Sequence, residues 1–373
     1  MQPAPQPPHS ADRVRLMIAD DSVVVRGLLQ RWLTSEPGIE IVAIAGDGRQ
    51  AVDMAAKHLP DVIVLDIEMP RMSGLEALPH LMALTPKPKV VMSSTLTTRG
   101  ADVTLHALDL GAADYLAKPQ ATHLGGADVF RNELIAKVLH LGRAAQKRRP
   151  GAVPTAPVSS APSHAPAPKE AAPPPRLLSP RRVDVVAVAA STGGPPALKA
   201  FIEALGPDFR TPVLIVQHMP ATFTPILADH LGRQAGREAR EAVDGEPINP
   251  GAVLIAPGGK HLTVKRSGAR MIAHLDEDPP ENWCRPAADK LFRSVAETYG
   301  ANALAVVLTG MGHDGLAGAR AMAERGAPIL AQDEASSVVW GMPGAIADAN
   351  LASLLAPVQP LAAEVRRLCG PVR

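Results

Sequence analysis

The sequence predicts an α/β protein built from two doubly wound parallel-sheet domains, and three observations carry that prediction. Short runs of β-branched and small apolar residues alternate with helical patterns in two separate series, Arg15 to Lys118 and Val183 to Ala331. Strands alternating with helices imply parallel sheets covered on both faces. In each series the reactive residue types fall where an apolar run stops, and the strand ends of such a sheet share one crevice. Between the series lies a Pro-, Ala- and Ser-rich stretch that cannot bury enough apolar surface to fold. The units read as 13–146, a linker over 147–182, and 183–373.

Composition bounds the function. Aromatics make up only 3% of the 373 residues, so the cores must be built from Val, Leu, Ile and Ala. A net charge of +1 gives no support for wholesale nucleic-acid binding. No apolar run approaches the roughly 18 residues of a membrane span, so no membrane insertion is expected. MQPAPQPPHS has no basic-then-apolar leader, which makes the cytoplasm the default location. Cys284 and Cys369 lack metal-ligand spacing and read as plain thiols in a reducing compartment.

The first series begins after a Pro-rich start. Arg15 to Ala19 is an apolar strand that ends in Asp20-Asp21, and a helical pattern runs from Ser22 to Leu33. Ile39 to Ala45 is the second strand. The helix 48–58 follows, with Ala51, Val52, Ala55 and Leu59 on its apolar side. Asp61 to Leu65 is the third strand, with Asp66 directly after it; a helix follows Gly74. Lys89 to Met92, ending at Ser93-Ser94, is the fourth strand, and Ala101 to Leu110 the next helix. Ala113 to Ala117 is a short fifth strand, ending at Lys118-Pro119.

Asp20, Asp21, Asp66, Ser94 and Lys118 therefore converge on one crevice. Three carboxylates there repel one another unless a divalent cation lies among them, and hard oxygen ligands suit Mg2+. A lysine and a hydroxyl beside them can hold phosphoryl oxygens. On these residues, 13–146 resembles a response-regulator receiver domain. The resemblance implies that Asp66 accepts a phosphoryl group from a histidine kinase and that Asp20, Asp21 and Asp66 hold Mg2+. Glu68 stands where a backbone carbonyl usually completes that metal site. Ser94 matches the switch hydroxyl, with Ser93 a weaker choice; Lys118 matches the phosphate-contacting lysine and Tyr115 the aromatic that changes rotamer on activation.

From Arg143 to Arg182, eight Lys/Arg stand against one Glu, which leaves the rest of the chain net acidic. The C-terminal part has no basic recognition helix, so a DNA-binding output is poorly supported. From Val183 the alternation restarts: strand VDVVAVAA, then Ser191-Thr192-Gly193-Gly194, then a helix from about Pro195 to Leu205. Pro212 to Val216 is a strand ending at Gln217-His218-Met219, and a helix covers Thr222 to Leu231. Ala252 to Ala256 leads through Pro257-Gly258-Gly259 into Leu262-Thr263-Val264, a candidate hairpin. Arg285 to Glu297 is helical. Leu304 to Leu308 is a buried strand that ends in TGMGHDG; a helix over 318–325 and a strand over 328–331 follow.

Ser191, His218 and Asp314 each follow a different strand. A serine nucleophile needs a base within hydrogen-bond reach, and the base needs a buried acid. Taken alone, Ser191 reads as the N-cap of an ordinary helix. His261, His274 and His313 compete for the role of base. Asp314 can equally be an N-cap, and Thr309 to Gly315 a phosphate-cradling loop without a P-loop lysine. The order Ser…His…Asp and the absence of G-x-S-x-G set the chain apart from standard α/β-hydrolases.

The runs AASTGGPPAL, VLIVQHMPATFT, APGGKHL, RPAADKLFRSVA and VVLTGMGHDGLAGA, behind a receiver, are similar to the chemotaxis protein-glutamate methylesterases, the CheB family. RPAAD departs from the family's frequent RPSVD. The resemblance implies hydrolysis of glutamate γ-methyl esters on methyl-accepting chemoreceptors with release of methanol, and deamidation of some receptor glutamines. It assigns Ser191 as nucleophile, His218 as base and Asp314 as orienting acid, with Thr192 and Met311 accessory near the nucleophile. Catalysis then needs no metal, and Mg2+ serves only phosphorylation of Asp66 by a chemotaxis histidine kinase. The unphosphorylated receiver is expected to pack over the rim that holds Ser191. The rival readings are a receiver-controlled hydrolase of another ester or amide, and a binding module without catalysis.

Overall fold

The computed structural model describes residues 13–95, 97–118, 126–147 and 182–370. The linker expected over 147–182 therefore lies, apart from its two end residues, outside the described residues. Lys147 belongs to the last helix of the first unit rather than to a linker.

The N-terminal unit alternates β1 Val14–Ala19, α1 Val23–Thr34, β2 Ile39–Ala45, α2 Gly48–His58, β3 Val62–Asp66, α3 Gly74–Met82, β4 Lys89–Ser94, α4 Thr98–Asp109, β5 Asp114–Ala117 and α5 Gly126–Lys147. Its five strands are parallel in the order β2-β1-β3-β4-β5. Every residue of β3 is buried, as both-face coverage requires. The helices start where a short polar side chain caps them: Ser22 on α1, Asp47 on α2, and on α3 a reciprocal box between Ser73 and Glu76. Asp66 and Ser94 close their strands instead of following them. Leu59 lies beyond α2 in a left-handed conformation, 40% exposed, not on the helix's apolar side.

The C-terminal unit runs β6 Val185–Ala190, α6 Gly194–Leu205, β7 Val213–Gln217, α7 Thr224–Ala235, β8 Ala239–Glu241, β9 Val253–Ile255, β10 His261–Ser267, β11 Arg270–Asp276 and α8 Ala288–Tyr299. It continues with β12 Ala303–Val307, α9 Leu316–Glu324, β13 Ile329–Gln332, α10 Met342–Asp348, β14 Leu354–Ala356 and α11 Val358–Cys369. Seven strands pair in parallel in the order β14-β13-β12-β6-β7-β9-β8. β10 and β11 form a separate antiparallel hairpin. The three strands that precede Asp314, Ser191 and His218 are adjacent, β12-β6-β7, at the centre of the sheet.

Candidate active site

The turn between β6 and α6 is built on glycine. Gly193, the N-cap of α6, has φ +76°, and a Cβ there would meet Val338 at 2.5 Å. A Cβ on Gly194 would strike the Gln217 side-chain oxygen. Ser191 is thus two residues before the N-cap and is not itself the cap. Its N–H donates to Thr309 O (3.0 Å), and its carbonyl accepts from Gln217 Nε2 (3.0 Å), which ties the turn to β12 and β7. Among the described residues, its hydroxyl makes no hydrogen bond.

His218 follows β7, and its Nε2 is 2.7 Å from Asp314 Oδ2. Asp314, only 3% exposed, does not cap its own helix, because the N-cap of α9 is Gly315. Its carboxylate instead receives the first two N–H groups of α8: Ala288 N at 2.6 Å on Oδ2 and Asp289 N at 3.1 Å on Oδ1. Gly315 N at 3.0 Å and Asn282 Nδ2 at 2.9 Å add to Oδ1. Burial alone would raise this carboxyl. The His218 hydrogen bond and charge, the α8 donors and Asn282 outweigh it and hold the group below its ordinary value. Burial likewise opposes charge on the His218 ring. The Asp314 hydrogen bond, the Cys284 thiol and both partners' charges override it and push the ring up to about 10.

The competing histidines are engaged elsewhere. His261 is buried against Pro279 O and Ala287 N, His274 pairs with the exposed Asp244, and the His313 side chain is exposed. The Thr309–Gly315 loop does not form a phosphate cradle at its start. Thr309 N donates to Gln332 Oε1 and Gly310 N to Val339 O. Cys284, read from the sequence as a plain thiol, has Sγ 3.6 Å from His218 Nδ1. No spacing signal pointed to it, because the contact comes from a turn 66 residues away in sequence. Asn282 and Asp289 were missed for the same reason.

The N-terminal unit covers this rim. The Thr192 hydroxyl, next to Ser191, donates to Asp114 Oδ2 of β5 at 2.7 Å, and Thr192 is 3% exposed. Lys137 of α5 holds the same carboxylate at 3.0 Å. The Tyr115 ring stacks on Phe223 with centroids 4.7 Å apart, so this aromatic points into the junction between the units. Met311 packs in an apolar cluster with receiver residues such as Phe130 and Leu134. Lys199–Asp109 (3.2 Å) and His230–Asp102 (3.1 Å) pair α6 and α7 with α4.

In the N-terminal crevice Asp66 is 4% exposed, and Lys118 Nζ lies 2.8 Å from its Oδ1 and 3.1 Å from Asp20 Oδ2. Burial raises Asp66 to about 6; Lys118 opposes the shift, and the Asp20 charge adds to it. Asp20, Asp21 and Asp66 each bring a carboxylate oxygen within 4.8 Å of the others. Asp20 Oδ2 is buried without a well-directed hydrogen bond. Three clustered carboxylates, one with a buried oxygen whose only near partner is the Lys118 ammonium, fit a hard divalent cation. A cleft of about 630 Å³ opens here, lined by Asp21, Asp66, Glu68, Ser94 and Lys118 among others. The Ser94 hydroxyl turns to the carbonyls of Thr95 and Gly100, and Ser93 is the strand partner of Asp66.

Comparison with known proteins bears on both crevices. The family described as CheB methylesterase matches residues 186–365, and the response regulator receiver domain matches 16–125. A protein-glutamate methylesterase/protein-glutamine glutaminase of Caulobacter vibrioides is 52% identical over 354 residues, covering 93% of this chain and 96% of the relative. One from Azospirillum brasilense is 48% identical, covering 99% and 96%. The crystal structure of the Thermotoga maritima CheB methylesterase catalytic domain aligns at 36% identity and a TM-score of 0.49, over 50% of this chain and 100% of that one.

Proposed function

The chain belongs to the CheB methylesterase family, and from that membership we infer that it hydrolyses glutamate γ-methyl esters and deamidates glutamines under the control of its receiver domain. The substrates would be side chains of methyl-accepting chemoreceptors, and the phosphodonor a chemotaxis histidine kinase. No helix among the described residues is long and apolar enough to cross a membrane.

The Asp314–His218 pair, at the ends of the two strands that flank the one before Ser191, carries the reading. Ser191 Oγ attacks the ester carbonyl carbon while His218, through Nδ1, the ring nitrogen that also meets Cys284 Sγ at 3.6 Å, takes the hydroxyl proton. The first turn of α6 offers the oxyanion its positive dipole end but few donors, because Pro195 and Pro196 have no N–H and Gly194 N donates to Ser191 O. Collapse breaks the C–O bond to the methoxy group, and His218 returns the proton to release methanol. Water then attacks the acyl-enzyme with His218 again as base, freeing the glutamate and Ser191. With glutamine the first leaving group is ammonia.

In the receiver, Asp66 is the phosphoryl acceptor, and Mg2+ would be held by Asp20, Asp21 and Asp66. That ion, when bound, neutralises charge on the transferred phosphoryl group. Lys118 supplies a second positive charge at the same oxygens. Thr192, Asp114, Tyr115 and Phe223 make the contact that closes the esterase rim in the unphosphorylated chain. The domain limits 13–146 and 183–373 suit this division, with the first moved one residue to Lys147.

A serine-directed phosphonate tests the nucleophile. Adduct mass on Ser191, lost in His218→Ala, is the expected result. Labelling that persists in Ser191→Ala at another residue contradicts it.

A further inference from the structure

The turn Glu281–Cys284 sits on the acid and base of this site. Glu281 and Cys284 bond each other's backbone in both directions, at 3.1 and 2.9 Å. The two central residues, Asn282 and Trp283, have φ of +52° and +63°. That left-handed pair is the geometry of a tight hairpin turn, and asparagine tolerates it better than most side chains. Glu281 is anchored on α8 through Arg293 Nη1 at 2.7 Å. Trp283, at the tip, is 99% exposed.

Held this way, the Asn282 amide reaches inward. Its Nδ2 donates both hydrogens, one to Asp314 Oδ1 at 2.9 Å and one to Asp289 Oδ2 at 2.8 Å. Both carboxylates are 3% exposed. The other Asp289 oxygen is fixed by Gly318 N at 2.6 Å, so Asp289 is a rigid abutment between α8 and α9. Two buried like charges face each other here, and one neutral amide stands between them.

We propose that Asn282 is a positioning residue for the esterase reaction. By bridging Asp314 and Asp289 it sets the rotation of the Asp314 carboxylate, so that Oδ2 stays on His218 Nε2. Without the amide, Asp314 keeps its backbone donors but faces Asp289 with no N–H between them. The carboxylate then relaxes by rotating or by sharing a proton with Asp289, and either change loosens the imidazole it orients. The proposal rests on the esterase reading for its kinetics but not for its geometry.

The test uses the full chain with Asn282→Gly, Asn282→Ala and Asn282→Asp. Glycine adopts positive φ without strain, so Asn282→Gly keeps the turn while it deletes the amide. Two readouts are taken: kcat and KM for methanol release, and the downfield ring N–H proton resonance of His218, assigned by its loss in His218→Ala. Asn282→Gly should lower Tm less than Asn282→Ala does, lose between about ten- and a hundredfold in kcat, as misplacement of a catalytic group does, and leave KM within about twofold. Its His218 resonance should shift or vanish. Asn282→Ala should show the same kinetic loss with a lower Tm, and Asn282→Asp a larger loss, because it adds a third carboxylate. Wild-type kcat and an unmoved resonance in Asn282→Gly overturn the proposal. The resonance is read without substrate. If wild type releases no methanol, the esterase reading fails while the positioning role is still decided.

Discussion

Two crevices in one chain each hold a proposed oxygen nucleophile at the C-terminal end of a parallel strand, and their surroundings differ as the two proposed nucleophiles differ. Asp66 is already an anion when ionised and needs no base. It is surrounded by what steadies negative charge: Lys118 and two further carboxylates that suit a cation. Ser191 is neutral and as a nucleophile would need a proton acceptor; a carboxylate held by α8 donors orients His218 at the end of the neighbouring strand. The first crevice opens to a cleft; the second lies under the first domain, with Thr192 tied to Asp114. A doubly wound sheet thus supplies the place, and the charge state of the nucleophile decides what must be built around it.

The sharpest way to separate the crevices is to disable one and read the other. Ser191→Ala or His218→Ala should cut methanol release by about 10⁴-fold or more, with Asp66 phosphorylation by a small phosphodonor unchanged. Equal loss of both activities would mean that the two sites are not separate machines.

Next in size is the contact that joins them. Thr192→Val removes a buried charge-assisted hydrogen bond worth about 1.5–3 kcal/mol, and Asp114→Asn takes away its charge assistance and the pairing with Lys137. Methanol release by the unphosphorylated chain should therefore rise about tenfold or more. Unchanged basal release in both variants would show that this bond does not hold the rim closed.

The pH dependences should also diverge. In the metal-free receiver Asp66 should take up its proton as pH drops through about 6, which removes the carboxylate that would attack phosphorus. His218 must be neutral to act as base, so unphosphorylated methyl-ester hydrolysis should climb as pH rises toward about 10. Linkage gives the matching stability signs. The raised His218 value contributes stability fully present below its unfolded pKa and lost as pH rises through about 10. The raised Asp66 value means that ionising the buried carboxylate costs stability as pH rises from its unfolded pKa through about 6. Without divalent metal, Asp66→Asn should then raise receiver stability at neutral pH by about 1–3 kcal/mol. Urea melts of the two proteins at pH 7.5 check this, and a destabilised variant would contradict it.

Both sheets and their strand-end residues were legible in the sequence because buried parallel strands leave unbroken apolar runs. Asp20, Asp66, Lys118, Ser191 and His218 stand at or just beyond such runs, and Asp314 follows its run across the TGMGHDG loop. Features set by distant pairing were not legible. The amide of Asn282 and the thiol of Cys284 reach the site from the turn 281–284, which has no periodic pattern to announce it, and the carboxylate of Asp289 from a helix whose pattern does not say what it faces. The short strands Ala239–Glu241 and Leu354–Ala356 were missed because three residues give no alternation to read. The choice of base also needed three dimensions, since four histidines near glycine-rich turns differ only in which one a buried carboxylate reaches.

The central claim is that phosphorylation at one crevice releases the other. Its most direct test is methanol release from methylated receptor membranes by wild type and Asp66→Asn, each with and without a small phosphodonor and Mg2+. Release that rises with phosphodonor in wild type and stays at the basal level in Asp66→Asn is the predicted result. Equal release from both proteins under phosphorylating conditions would contradict it.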